Sequence, residues 1–115
     1  MDSVLKTLNE QDAIEAWSLV HEDGRVLATF KRPGGVDARF LDEIGSSLLA
    51  SARGLAAELG KGAVEEALIE YPEGPVLMQP VGERAMLLLL LARLSDLGRV
   101  RLILRRIRPE LEALV

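Results

Sequence analysis

The side chains that could serve as catalytic nucleophiles or bases are few and poorly grouped. One histidine, His21, lies in the turn phrase HEDGR, and the serines at 46, 47 and 51 lie within a long helical pattern. A nucleophile requires a base within hydrogen-bond reach and a third group that orients the base. No such motif is present, and the absence of cysteine excludes thiol catalysis and thiolate metal sites. We therefore expect no catalytic residues, no metal site and no cofactor.

The remaining motifs also argue against an enzyme. The phrase GKG at 60–62 lacks the spacing of a phosphate-binding loop and is better explained as the end of a helix. The acidic pairs at 42–43 and 65–66 are adjacent in sequence. Neighbours on a helix do not face each other, and neighbours on a strand point to opposite faces, so neither pair suits acid–base catalysis. The composition favours a protein that works by contact.

The basic residues are concentrated near the carboxyl terminus. Six arginines and one acid lie between Arg93 and Arg108, although the whole chain has a net charge of −4. Nucleic acid is disfavoured as a partner by the acidic remainder and by an aromatic content of only 3%. The arginines are typical of a solvated helix face, and an acidic protein partner remains an alternative.

The length of 115 residues predicts one domain over residues 1–115. The longest apolar run, at 85–92, has eight residues and is too short to cross a bilayer. The amino-terminal residues do not resemble a signal peptide. We therefore expect a cytoplasmic protein without membrane insertion.

Hydrophobic periodicity and turn residues predict an α+β fold. The order is α-β-β-α-β-β-β-α, with a five-stranded antiparallel sheet and helices on both of its faces. The apolar run in 85–91 predicts a central strand that is buried on both sides. Helices are expected at 2–9, at 38–59 and from Ser95 or Asp96 to a kink or break at Pro109, and strands at 13–21, 25–31, 63–71, 75–81 and 85–91.

The long helix has more apolar and small residues than one sheet contact requires. One stripe, expected to face the core, contains Phe40, Ile44, Leu48, Leu55 and Leu59. A second stripe contains Leu41, Gly45, Leu49, Ala52 and Ala56. Another helix of the same chain could cover the second stripe, but we favour a self-complementary contact with a second copy. The charge-interrupted strand at 63–71 suits a sheet edge, and its residues Val64, Glu66 and Leu68 are expected at the same interface.

Taken in order, these segments resemble the roadblock/dynein light chain family. The resemblance rests on the hairpin AWSLVHEDGRVLATF, the helix end LAAELGKG and the acidic strand VEEALIEY. It continues through EGPVLMQPVGERAMLLLLL and the helix start SDLGRVRLILRRI, and covers about residues 2–112. The bacterial GTPase-regulator members, including the gliding-motility proteins, are similar to this pattern.

The resemblance implies a profilin-like fold and a non-catalytic signalling module. It implies a homodimer, or a heterodimer with a roadblock paralogue, formed through the long helix and the third strand. The partner implied is a small Ras-like GTPase, as in bacterial cell polarity and motility. Four residues of the long helix are candidates for partner contact: Arg39, Glu43, Ser46 and Arg53. An alternative is a small-molecule sensor of the same fold, with a ligand between sheet and helix.

Overall fold

The computed structural model describes residues 3–34 and 39–115, with the side chains of all of them except residues 39–44. Within these residues, three α-helices, five strands and one short 3₁₀ turn follow in the predicted order. The elements are α1 (Ser3–Asn9), β1 (Ile14–His21), β2 (Val26–Lys31), α2 (Arg39–Leu59), β3 (Ala67–Ile69), β4 (Val76–Val81), β5 (Ala85–Leu91), the turn Leu94–Asp96 and α3 (Leu97–Glu112).

The five strands form one antiparallel sheet in the order β2-β1-β5-β4-β3. The strand β5 lies in the middle and is buried on both faces, as its unbroken apolar run predicts. Leu87 and Leu89 point to the side covered by α1 and α3, and Met86 and Leu88 point to the side covered by α2. The fold class and the order of elements are thus confirmed.

The hairpin between β1 and β2 forms where the Asp-Gly pair predicts it. Gly24 has a φ of 96°, which glycine adopts without the steric cost that a side chain would bring. The Asp23 carboxylate accepts a hydrogen bond from the Arg25 backbone N–H at 2.9 Å. That bond lowers the pKa of the Asp23 carboxyl. His21 accepts from the Asp23 N–H at 3.2 Å, so this histidine belongs to the turn.

One expected boundary is wrong, and of the kink or break expected at Pro109 the break does not occur. The strand predicted over 63–71 pairs with β4 only at Ala67–Ile69. Gly62 precedes it in a left-handed conformation, with φ at 91°. The carboxyl-terminal helix, in turn, continues through Pro109 to Glu112 instead of breaking there. The carbonyl that loses its helical partner is that of Arg105, an exposed residue, which keeps the cost of the proline low.

The two stripes of α2 do not divide between core and surface in the way expected. Gly45 and Leu49, of the small-residue stripe, are buried against the sheet. Leu55 and Leu59, expected in the core, are 61% and 56% exposed. The reason is the short distance between α2 and the sheet at Gly45. A Cβ added at Gly45 would lie 3.1 Å from Leu88 Cδ1. Gly45 lets α2 approach the sheet closely, and Leu55 and Leu59 remain exposed.

This close approach predicts the effect of adding bulk at Gly45. The change Gly45→Val should destabilise the chain by about 1–3 kcal/mol, because the added atoms overpack a filled contact with Leu88 and Val20. The same change at Gly54, which faces open space on α2, should alter stability by less than about 0.5 kcal/mol. Urea unfolding measures both. Equal costs would contradict the close packing of α2.

No helix within residues 3–34 and 39–115 is long and apolar enough to cross a membrane.

Candidate partner-binding face

An apolar groove lies beside α2, over the edge half of the sheet. α2 packs mainly across β1 and β5, and the groove lies between α2 and the neighbouring strands β3 and β4. The groove encloses about 240 Å³. Its walls are almost entirely apolar, and we call it the apolar groove. The residues that line it are Leu48, Ser51, Ala52, Leu55, Ala67, Ile69, Val76, Met78 and Leu88.

Two large side chains stand open to solvent in the apolar groove. Leu55 is 61% exposed on α2, and Ile69 is 44% exposed on β3. The strand β3 is the last of the sheet and pairs only with β4 in the described structure. Its outer backbone groups are therefore available to another strand. An apolar patch next to an open sheet edge is typical of a protein–protein contact.

The structure places the expected interface residues of α2 unevenly. Gly45 and Leu49 face the sheet of their own chain, and Leu49 is only 1% exposed, so the expectation that these two meet a partner is wrong. Ala52 is half-buried and lines the apolar groove. Ala56 is half-buried one turn further on, in a cleft at the end of α2. The Leu41 side chain lies outside the described residues.

The expected interface residues near β3 point in different directions. Val64 packs against the cluster under α2. Leu68 packs against the cluster on the other side of the sheet, under α1 and α3. Glu66 also turns to the α3 side, where both of its oxygens accept hydrogen bonds from Arg101. The residues of this segment that face the apolar groove are instead Ala67 and Ile69.

Glu66 is the centre of a polar network that joins β4 and the β3 segment to α3. Arg101 Nε lies 3.1 Å from each Glu66 oxygen, and Gln79 Nε2 donates to Glu66 Oε1 at 3.0 Å. Gln79 accepts in turn from Arg108 at 2.6 Å. The hydrogen bonds from Arg101 hold the pKa of the Glu66 carboxyl below its ordinary value, against the opposing effect of partial burial.

The lowered pKa of Glu66 predicts a pH-dependent contribution to stability. At neutral pH the charged carboxylate should make the wild type more stable than Glu66→Gln by about 1 kcal/mol or less. This advantage is present above the ordinary pKa of 4.5. It is lost as the pH falls through the lower pKa of the folded state. Urea unfolding of both proteins from pH 7 to pH 3 measures it.

A second variant separates the contribution of this ion pair from other effects of low pH on stability. In the Arg101→Gln background, Glu66→Gln should produce little pH-dependent difference, because Arg101 is the main cause of the shift. An undiminished pH dependence in that background would contradict the assignment.

Two of the four residues expected to contact a partner gather beside the β1–β2 turn. Ser46 is half-buried next to Gly24. Arg53 donates to Glu22 Oε2 at 2.9 Å and also to the backbone carbonyl of Glu83. Its guanidinium therefore fastens α2 to two turns of its own chain. The side chains of the other two, Arg39 and Glu43, lie outside the described residues.

Sequence patterns missed two features, one on each side of the sheet. The exposed side of α2 was missed because large apolar residues ordinarily face inward. The only signal for it was the small-residue stripe, which permits close approach. The network of Glu66, Gln79 and Arg101 was missed because its partners are 13 and 35 residues apart. No spacing in the sequence reveals such pairs.

Comparison with known proteins places the chain in a family. The model of the Roadblock/LC7 domain matches residues 1–91. A protein of Methanocaldococcus jannaschii (MJ0310) is 33% identical over 99% of this chain and 98% of its own length.

Several solved structures share the fold. The gliding protein MglB from Thermus thermophilus has a TM-score of 0.81 at 23% identity, over 96% of this chain and 84% of its own. A structure of MglB with a tetrameric arrangement has a TM-score of 0.81 at 24% identity, with the same coverage. A chain of the LokiProfilin2–rabbit actin complex has a TM-score of 0.55 at 16% identity, over 95% and 98%. These likenesses show a roadblock and profilin-like fold. The family model and the relative that is 33% identical show that the chain belongs to the Roadblock/LC7 domain family.

Proposed function

We propose that this chain is a cytoplasmic, non-catalytic module that forms a dimer and binds a small Ras-like GTPase, whose activity it regulates. The observation that carries the proposal is the apolar groove beside the open edge of β3. A monomer would leave Leu55 and Ile69 in water, although each would gain free energy from burial.

A second copy related by a two-fold axis would cover both features. A two-fold contact uses the same surface on each copy, so that α2 meets α2 and β3 meets β3. Pairing of the two β3 edges would extend two five-stranded sheets into one. A paralogue with the same groove would fit equally well, and the relation to MglB structures, one of which has a tetrameric arrangement, supports assembly of this kind.

The GTPase partner is proposed from the family resemblance. The gliding-motility members that the sequence resembles imply a Ras-like GTPase as the bound protein. The GTP-bound and GDP-bound states of such a partner differ in the segments held by the γ-phosphate. A regulator that contacts those segments therefore distinguishes the GTP-bound partner from the GDP-bound partner.

Capture from a cell extract of the source organism tests this function. The immobilised protein is exposed to extract with a non-hydrolysable GTP analogue and, separately, with GDP. We expect a Ras-like GTPase to be enriched with the GTP analogue only, and the purified pair should then be assayed for GTP hydrolysis. Absence of any GTPase with both nucleotides would contradict the proposed partner. Enrichment of another roadblock chain alone would indicate a scaffold heterodimer.

A second candidate function, small-molecule sensing, is favoured by one cavity. A cleft of about 660 Å³ lies at the end of α2, lined by small residues such as Ala56, Ala63 and Gly82. The polar side chain Arg53 at its wall is already bonded to Glu22 and Glu83. A ligand that binds the folded state raises the melting temperature. A metabolite that raises it for the wild type, and not for Ala63→Leu, would favour this candidate.

A further inference from the structure

A second groove lies on the opposite side of the sheet from the apolar groove. It runs between α3 and the segments that contain Glu66 and Gln79, and it encloses about 510 Å³. Three arginines line it, at 101, 105 and 108. Spacings of four and three place them on one side of α3. We call it the arginine groove; its remaining lining residues are Val64, Glu65, Glu66 and Gln79.

The three guanidinium groups differ in how far their charge is neutralised. Arg101 is ion-paired with Glu66. Arg108 donates to the Pro80 carbonyl at 3.1 Å and to Gln79 Oε1 at 2.6 Å. Both acceptors are neutral, and Arg108 makes no ion pair within the part of the chain that the structure describes, so the side chain is held in position with an unpaired charge.

Arg105 is exposed between these two arginines and makes no ion pair with the residues that the structure describes. The arginine groove therefore presents one oriented and one free guanidinium side by side. Glu65, an exposed acid that also lines the groove, disfavours anions near β3 and leaves the α3 side as the place for them. A planar guanidinium forms paired hydrogen bonds with a carboxylate or a phosphate.

Two observations favour carboxylates of a protein over the phosphates of a nucleic acid. A nucleic-acid site neutralises a series of phosphates, whereas this groove offers two uncompensated cations on a chain of net charge −4. The second is an exposed apolar side chain one helical turn from Arg105. Leu102 is 44% exposed, and helical spacing places it beside Arg105 and Arg106.

We propose that the arginine groove binds an acidic segment of a partner protein. Carboxylates of the segment pair with Arg105 and Arg108, and an aliphatic side chain of the segment packs on Leu102. The site lies within one chain, so it does not depend on the dimer or on the GTPase proposed above.

Fluorescence anisotropy with a short labelled peptide of alternating glutamate and leucine tests this site. The change Arg105→Gln should weaken binding about tenfold, because one charge-assisted pair is lost. Arg106→Gln, the same change one residue further along α3, should weaken it about twofold or less, because Arg106 does not line the groove. Both residues are exposed, so both variants should fold.

Three results would overturn the proposal. The first is absence of peptide binding at low ionic strength. The second is an equal loss for the two variants, or equal binding of a peptide with glutamine in place of glutamate, since either indicates no defined carboxylate site. The third is a single-stranded oligonucleotide that binds more tightly than the peptide and with the same dependence on Arg105. Leu55→Glu, which is designed to separate the dimer, should leave peptide affinity within about twofold of the wild type. This variant distinguishes failure of the arginine groove from failure of the dimer.

Discussion

Replacing Leu55 with glutamate is expected to turn the dimer into monomers and to weaken association by at least about 100-fold. In the proposed dimer the new carboxylate would be buried in the apolar groove, among side chains such as Ile69 and Met78. A buried charge without a partner is among the most costly changes at an interface. In the monomer the same carboxylate would stand in water, because Leu55 is 61% exposed.

Sedimentation equilibrium at micromolar concentration measures this effect. Leu102→Glu is the matched control: Leu102 is 44% exposed on α3, on the other side of the sheet, and its substitution should leave the dimer intact. A Leu55→Glu protein that sediments as a dimer would show that the two copies meet elsewhere. Near-native circular dichroism of the variant confirms that the fold is kept.

Trp17→Ala is expected to produce the largest loss of stability, about 3–5 kcal/mol. The Trp17 side chain is 2% exposed and belongs to the core under α1 and α3. Its ring stacks on Phe30 at a centroid distance of 6.4 Å, and its Nε1 donates to Asn9 Oδ1 at 2.8 Å. One side chain thus joins β1 to β2 and to the end of α1. Domains of this size are stable by only about 5–15 kcal/mol, so the loss is a large share of the total.

Urea unfolding of Trp17→Ala and Trp17→Phe measures the loss of the whole side chain and the loss of part of it. Phenylalanine keeps one aromatic ring in the core and loses the rest of the indole together with the Nε1 donor, so its cost should lie clearly below that of alanine. A cost below about 1 kcal/mol for Trp17→Ala would contradict the central position of this residue in the core.

The sheet could be predicted from the sequence because its signals are local. The Asp-Gly pair at 23–24 identifies the first hairpin, and the apolar run at 85–91 identifies the central strand. The acidic positions around β3 indicated an edge strand, and β3 is at the edge. Each of these patterns depends on neighbouring residues only.

The orientation of α2 could not be predicted in the same way. Both of its stripes are apolar enough to face a sheet, and hydrophobicity favours the one with the larger residues. The contact depends on the local separation of helix and sheet, which leaves room for Gly45 and none for a larger side chain. That separation is set by side chains of distant strands, such as Leu88 and Val20, and is therefore absent from the helical pattern.

The contacts of the α3 arginines could not be predicted either, because they also depend on residues that are distant in sequence. From the sequence, the arginines of α3 are interpreted as a solvated helix face, because helical spacing does not show which residues of other segments they contact. In the structure Arg101 meets Glu66 and Arg108 meets Gln79, across 35 and 29 residues. Among the three arginines of the groove, Arg101 is paired with a carboxylate, whereas Arg108 donates to two neutral acceptors.

Chemical cross-linking through a single introduced cysteine tests the central claim, that two copies meet on the apolar groove. The chain has no cysteine of its own, so each variant carries one defined thiol. Ser51→Cys places the thiol at an exposed position in the groove, and Ser95→Cys makes the same change at an exposed position before α3. With a short bismaleimide, we expect Ser51→Cys to yield a covalent dimer rapidly and Ser95→Cys to remain a single chain. Equal cross-linking of the two variants, or none for Ser51→Cys, would contradict the dimer proposed here.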